Sequence, residues 1–233
     1  KIVIKKTKLA KYQKKNINTK LNNQYNLLKK LEFSDDQVIK IVKYANSIKQ
    51  KIFFSVFDKD DLAFISQFNF DYIKIPSGEI NNYPLLLKIA KLNKKIILST
   101  GMSDLKDISF ALNTMLKAGL AKKNINLLHC NTEYPTPLKD INMRAMITIQ
   151  KKFKINNIGY SDHSNNYEIP IVATALGAKI IEKHFTLSNK LNGPDHKASL
   201  NPLNFKKMVS NIRNTEIALG SIIKKVSFTD FGQ

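Results

Sequence analysis

The chain has no tryptophan and one cysteine, Cys130, among its 233 residues. A lone thiol excludes an internal disulfide framework and is the usage expected in a reducing cytosol. No run approaches the ~18 consecutive apolar residues that a membrane-spanning helix needs, so no membrane partner is expected. The opening Lys1-Ile2-Val3-Ile4-Lys5-Lys6 lacks the apolar centre and small-residue cleavage site of a secretory signal, which makes a cytoplasmic location the expectation. Acidic residues are scarce, with 18 Asp and Glu against 38 Lys and Arg and a formal net charge of +20. A nucleic-acid-binding module would want that charge clustered beside aromatic platforms or a recognition motif. The lysines are instead scattered, as at Lys5, Lys40, Lys88, Lys122, Lys151 and Lys206, in a chain rich in Asn and Ile. A solvated basic surface is the better reading, and no nucleic-acid partner is expected, although the field still favours an anionic metabolite. Neither a Gly-x-Gly-x-x-Gly nor a Walker sequence is present, which weakens a nucleotide-binding alternative.

What the chain does have is alternation. Apolar runs at Ile52–Val56, Phe70–Ile75, Lys95–Ser99, Ile125–His129, Asn157–Tyr160 and Ala178–Lys183 read as strands. Amphipathic segments between them predict helices over Asp58–Gln67, Asn82–Lys91, Asp104–Ala118, Ile141–Phe153 and Glu168–Leu176. A further helix over Ser34–Lys49 opens on the capping-box pattern Ser34-Asp35-Asp36-Gln37. Asn201-Pro202 begins a last helix that runs to about Leu219 and stops at Gly220. Strands alternating with helices argue for a parallel sheet, in a barrel or an open doubly wound form.

The polar residues choose between those two. Nearly every candidate strand ends in a reactive group: Ser55, Lys74 with Ser77, Ser99, His129, Ser161 with His163, and Glu182 with His184. A ring of such groups from successive strands fits the top of a (β/α)8 barrel better than an open sheet, whose ligands gather at one switch point. The expected fold is therefore an α/β (β/α)8 TIM barrel with about six of its eight strands present. Residues 1–33 form a loop or helical segment, 34–220 the barrel, and 221–233 the start of a linker. Such an arc leaves unpaired edges and an open apolar interior, so the expectation is that the sequence lacks its natural N-terminus.

Two of the four histidines, His163 and His184, follow short apolar segments and so sit at strand ends. Neutral imidazoles beside acidic and hydroxyl groups suit an open divalent-metal site; either alone reads better as an ordinary polar residue at a strand end, and it is the pair in this context that favours the metal. Further motifs are Lys74-Ile75-Pro76-Ser77-Gly78-Glu79, Ser99-Thr100-Gly101-Met102, and His129-Cys130-Asn131-Thr132-Glu133-Tyr134-Pro135-Thr136-Pro137. They are followed by Tyr160-Ser161-Asp162-His163, Glu182-Lys183-His184-Phe185 and Gly193-Pro194-Asp195-His196-Lys197-Ala198-Ser199.

In that order, these motifs closely resemble the N-acetylneuraminate (sialic acid) synthase family, from about Tyr12-Gln13 to Gly220. The resemblance implies a (β/α)8 barrel, usually followed by an antifreeze-like domain that crosses to the partner subunit of a homodimer. It implies condensation of phosphoenolpyruvate with an N-acetylated hexosamine such as N-acetylmannosamine, giving a nine-carbon 2-keto acid and phosphate. By it, His163 and His184 hold Mn²⁺ or Mg²⁺, and Lys74, Ser77, Ser99, Thr132 and Ser161 surround the phosphoenolpyruvate anions. Glu79, Tyr134 and Asp195 face the amino sugar, and Lys74, Glu79, His163 and His184 form the catalytic set. These residue types suit the reaction: two anionic groups need a cation and hydroxyl donors, and an aldehyde needs a Lewis acid. Glu79 or a metal-bound water could manage the protons.

Blander readings accompany these roles. Ser77-Gly78 and Thr100-Gly101 are also ordinary βα-turn chemistry, Tyr134 could be a half-buried packing aromatic, and Asp195 could merely set the Gly193-Pro194 turn. Cys130 and His129 are expected to pack near the barrel top, without a thiol nucleophile. By the resemblance, the first two barrel strands, with an acidic residue and a Lys-Phe-Gln segment, would precede Lys1. The isolated chain is therefore expected to be inactive or poorly folded. Within the family the segment Gly193–Ser199 looks more like the neuraminate and legionaminate branches than the pseudaminate one. A non-catalytic remnant that binds anionic sugars is the reading from another class.

Overall fold

The computed structural model describes residues 6–17 and 23–226. Expectations that fall on residues 1–5, 18–22 and 227–233, including the end of the linker, lie outside the described residues. Five strands, β1 (Tyr72–Ile75), β2 (Lys95–Ser99), β3 (Ile125–Cys130), β4 (Ile158–Asp162) and β5 (Ile180–Lys183), form one parallel sheet in chain order. Nine α-helices are found among the described residues: α1 (Lys11–Asn16), α2 (Gln24–Leu31), α3 (Asp35–Ser47), α4 (Lys59–Ile65), α5 (Tyr83–Lys91), α6 (Leu105–Lys117), α7 (Arg144–Phe153), α8 (Ile169–Ala175) and α9 (Pro202–Leu219). Helices α5 to α8 are the crossovers that a parallel sheet requires.

The helices begin where short polar side chains can satisfy their free amide groups. Ser34 Oγ accepts from Gln37 N at 3.3 Å while Gln37 Oε1 accepts from Ser34 N at 2.8 Å, so the expected capping box is present. Asp58 caps α4, Asn82 caps α5, Asp104 caps α6 and Asn201 caps α9. Helix α7 starts at Arg144 and not at Ile141, because Leu138–Asp140 forms a 3₁₀ turn that brings Ile141 into the core.

The sheet reads as near-continuous apolar sequence because it is covered on both faces. Ile96 and Leu98 of β2, Leu127 of β3 and Ile158 of β4 are fully buried, packed with Leu86, Ile89, Ala111, Met115 and Met146 from the helices, and Leu128 of β3 is fully buried on the other face. Gly159 is a packing requirement in β4. A Cβ there would lie 2.4 Å from Ile180 O and 2.5 Å from Leu128 Cδ2, so only glycine lets β4 lie this close to its neighbours.

The sheet has five strands among the described residues, where six were expected. The segment Ile52–Val56 makes one isolated bridge, Ser55 to Lys74, supported by Val56 N to Lys74 O at 3.0 Å and Lys74 N to Phe54 O at 3.2 Å. Its β-branched and aromatic residues supply the backbone conformation, but a strand is defined by its ladder, which here extends over a single bridge. Phe70, expected at the start of β1, instead packs against Phe54 and Phe68, with ring centroids 5.5 Å apart in both pairs.

The sheet is curled. Four inter-strand steps of ~4.8 Å would place β1 and β5 about 19 Å apart in a flat sheet. Yet Lys74 Nζ on β1 lies 3.3 Å from Glu182 Oε1 on β5. Two side chains cannot bridge the flat distance, so the sheet bends into a half-barrel whose concave side gathers the strand ends.

Candidate active site

Lys74 sits at the bottom of this concavity. It is buried, and a buried ammonium needs partners. Its Nζ donates to Ser99 Oγ at 2.8 Å and pairs with Glu182. Ser161 Oγ donates to the same Glu182 oxygen at 2.7 Å. Side chains from β1, β2, β4 and β5 therefore meet in one chain of hydrogen bonds, which is what inward alternation on a curled parallel sheet produces.

Beside this network lie the two histidines. The His163 and His184 ring centroids are 5.3 Å apart, at an interplanar angle of 75°. His163 Nδ1 is 2.5 Å from the Asn131 carbonyl oxygen, and the bonding pattern assigns the proton to Nδ1. Nε2, 3.3 Å from a Ser161 hydroxyl already directed at Glu182, keeps its lone pair. Burial pulls the His163 pKa down to about 4, with the neighbouring His184 pushing the same way and the Asn131 bond opposing. Burial also lowers His184, against the fields of Asp195 and Glu182. At neutral pH both rings are neutral and could act as ligands.

Tyr134 covers the pair, its ring 4.1 Å from His163 and 5.4 Å from His184. The loop carrying it is held by Thr136, whose N–H donates to His163 O at 3.0 Å and whose Oγ1 donates to Glu133 O at 2.7 Å. Asp195 belongs to the same wall. Burial raises its pKa while His184 and His196 oppose, and its Oδ1 is buried without a hydrogen-bond partner among the described residues. A buried acceptor left open beside an imidazole pair is suited to a hydroxyl or amide donor from outside the chain.

Ser77, Cys130 and Thr132 make a second, adjoining cluster around Gly101. Gly101 N donates to Ser77 Oγ at 2.9 Å, and that hydroxyl lies 3.3 Å from Cys130 Sγ. A Cβ on Gly101 would be 2.8 Å from Thr132 Cγ2 and 2.9 Å from Ser77 Oγ, so the backbone approaches these side chains as only glycine can. Burial raises the Cys130 pKa, in keeping with a packed thiol.

Glu79 stands apart from these groups. It lies in the 3₁₀ turn Ser77–Glu79, and its Oε2 accepts from Asn82 Nδ2 at 2.6 Å. Among the described residues its carboxylate is thus bonded to the cap of α5 and to none of the other expected site residues. No group of three or more His, Cys, Asp or Glu side chains positioned to share an ion occurs among the described residues. The histidine pair is the unit that could hold one.

Two features escaped the sequence reading. Glu182 was visible as a strand-end acid, but its reach across to Lys74 depends on curvature. The second is α1: Asn16 Nδ2 donates to Tyr134 O at 2.9 Å and to Pro194 O at 2.8 Å, while Tyr12 packs on Tyr134 at 4.9 Å. A short helix thereby ties together the two loops that carry Tyr134 and Asp195. A signal was available, because in Lys11-Tyr12-Gln13-Lys14-Lys15-Asn16 the uncharged residues share one helical face.

A half-barrel with a buried cation, hydroxyls and an imidazole pair at its strand ends is an α/β-barrel-type protein, and this candidate site lies where such folds keep their chemistry. A family model described as the NeuB family matches residues 1–224, and the chain belongs to that family. It is 44% identical over 224 residues to the N,N'-diacetyllegionaminic acid synthase of Campylobacter jejuni, covering 95% of this chain and 66% of that protein. It is 36% identical over 202 residues to the N-acetylneuraminate-9-phosphate synthase of Homo sapiens, covering 84% and 54% respectively. The crystal structure of an N-acetylneuraminic acid synthetase from Leptospira borgpetersenii, in complex with citrate, matches with a TM-score of 0.82 at 31% identity. That match covers 88% of this chain and 70% of that one. The chain therefore spans no more than 66% of the length of either relative. No helix among the described residues is long and apolar enough to cross a membrane.

Proposed function

We propose that this chain carries the catalytic site of a nonulosonate synthase, which condenses phosphoenolpyruvate with an N-acetylated hexosamine and releases phosphate. The observation that carries the reading is the 5.3 Å spacing of His163 and His184 directly beside the Lys74–Ser99–Ser161 network. One substrate with two anionic groups and a second with an electrophilic carbonyl need adjoining sites of these two kinds.

The pair fits a divalent cation, Mn²⁺ or Mg²⁺. His163 offers a free Nε2 while its Nδ1 donates to a backbone carbonyl, the outer-shell bond usual for a ligating imidazole. Bound there, such an ion would supply Lewis-acid polarisation of the sugar aldehyde. The chain's own residues do the rest. Lys74, Ser99 and Ser161 receive one anionic group of phosphoenolpyruvate, and Ser77 with Thr132 receive the other. Glu182 orients Lys74 and Ser161 and can take a proton in exchange for its bond to the hydroxyl. Asp195 accepts from sugar hydroxyl or amide groups through its open Oδ1, and Tyr134 closes the sugar side against water. Glu79, bonded to Asn82, takes part only if substrate draws it away from that cap.

Its similarity to the Campylobacter enzyme favours a legionaminate-type product, with N-acetylneuraminate as the alternative. The test is phosphate release from phosphoenolpyruvate with a panel of N-acetyl and di-N-acetyl hexosamines, with Mn²⁺ and with chelator. Turnover with one sugar that is lost in His163→Ala and His184→Ala supports the proposal. A second reading, binding of anionic sugars without turnover, is favoured by the five-stranded half-barrel; saturable binding with no phosphate release under any of these conditions would establish it.

A further inference from the structure

Directly behind the two histidines, on the opposite face of the same strands, lies a buried ion pair that the reading above does not use. Asp162 ends β4, Lys183 ends β5, and the two are register partners. Lys183 Nζ is 2.6 Å from Asp162 Oδ2, with side-chain exposures of 1% and 0%. Ser164 extends the network. Lys183 Nζ also donates to the Ser164 carbonyl, and the Asp162 carboxylate accepts from Ser164 N at 2.9 Å and Ser164 Oγ at 3.0 Å.

We propose that Asp162 and Lys183 are positioning residues that set the separation of the His163 and His184 imidazoles. The inference rests on those imidazoles acting as a pair. His163 lies between Asp162 and Ser164, so both of its backbone neighbours are held by the network. His184 directly follows Lys183. The ion pair therefore ties the backbone on either side of one imidazole to the backbone preceding the other. Side-chain alternation explains the division of labour: Ser161 and Glu182 face the concavity, Asp162 and Lys183 face away, and the histidines face the concavity again. A buried ion pair is a poor means of gaining stability, since well-packed apolar residues of similar volume often do as well. What apolar packing lacks is direction. Directional bonds across the strand ends fix a separation that van der Waals contact leaves adjustable.

The test replaces the pair by apolar residues of similar volume, Asp162→Leu with Lys183→Met, in the full chain. Thermal melting close to that of the unaltered protein, with Mn²⁺ affinity by electron paramagnetic resonance reduced by about tenfold or more, is the expected result. Unchanged Mn²⁺ affinity in the folded double variant overturns the proposal. If the double variant fails to fold, Asp162→Asn is compared with Leu112→Ala, a core change on α6, at equal loss of melting temperature. Weakened Mn²⁺ binding in the first alone supports positioning, and equal weakening in both overturns it. Should the unaltered chain bind no Mn²⁺, the metal part of the functional reading fails, and crystal structures decide the clamp separately. Ring centroids still 5.3 Å apart in Asp162→Asn would then refute it.

Discussion

Replacing Lys74 by methionine isolates what a single buried cation contributes to anion recognition. Methionine keeps an unbranched apolar stem that ends where the ammonium begins, so the change is chiefly the loss of the ammonium and its bonds to Ser99 Oγ at 2.8 Å and Glu182 at 3.3 Å. The cost in stability is small by this reasoning. Glu182 is 37% exposed, so it can be hydrated when its partner is gone, and the pair is worth roughly 1 kcal/mol after solvent screening. The cost to binding is larger. One charge-assisted hydrogen bond to phosphate or carboxylate is worth about 1.5–3 kcal/mol. At 1.4 kcal/mol per decade that is a loss of about 10- to 150-fold in phosphoenolpyruvate affinity. Loss of the ammonium also leaves Glu182 facing the incoming anion uncompensated, which pushes the result toward the upper end. Isothermal titration of phosphoenolpyruvate against the folded variant, with melting measured in parallel, reads both numbers. Affinity within twofold of the unaltered protein in a folded Lys74→Met chain would refute the assignment of Lys74 to the anion.

Two further outcomes follow from packing and burial. Gly159→Ala places a methyl 2.4 Å from Ile180 O, so β4 and β5 must separate, at a cost of about 1–3 kcal/mol or more in urea unfolding; an unchanged midpoint would contradict the close approach. His129 is buried with Nε2 2.8 Å from Ile141 O, and burial lowers its pKa. Below about pH 6.5 the unfolded chain therefore takes up a proton that the folded one resists. Its contribution to stability is fully present above that pH and is lost as pH falls toward the lowered folded value. The pH dependence of the unfolding midpoint should be shallower in His129→Gln, and identical slopes in the two proteins would count against the burial argument.

Much of the architecture was readable from local sequence because its signals are local. Ser34-Asp35-Asp36-Gln37 closes its reciprocal bonds within four residues, so its meaning does not depend on distant structure. Strands β2 to β4 were readable from apolar runs because nearly all their residues are buried, one face under the crossover helices and the other within the curl of the sheet. Ile52–Val56 shows the limit: it has strand composition, but the number of bridges it forms depends on a neighbour, and composition does not specify neighbours. Among site residues, His163 and His184 were found from their places after apolar segments, and the structure brings them together. Glu79 was named from its motif, and the structure bonds its carboxylate to the cap of α5. The motif marks the turn, while the direction of the side chain follows from what packs around it.

The amino-acid sequence by itself determined the alternation of elements, the caps that start the helices, the residue types at the strand ends and the family. All of these are set by intervals of a few residues. Tertiary structure alone decided that β1 and β5 curl within reach of one another, so that Lys74 meets Glu182, and that Asn16 ties the Tyr134 loop to the Pro194 loop. Curvature and loop docking come from many non-local contacts, and no short interval of sequence records their sum.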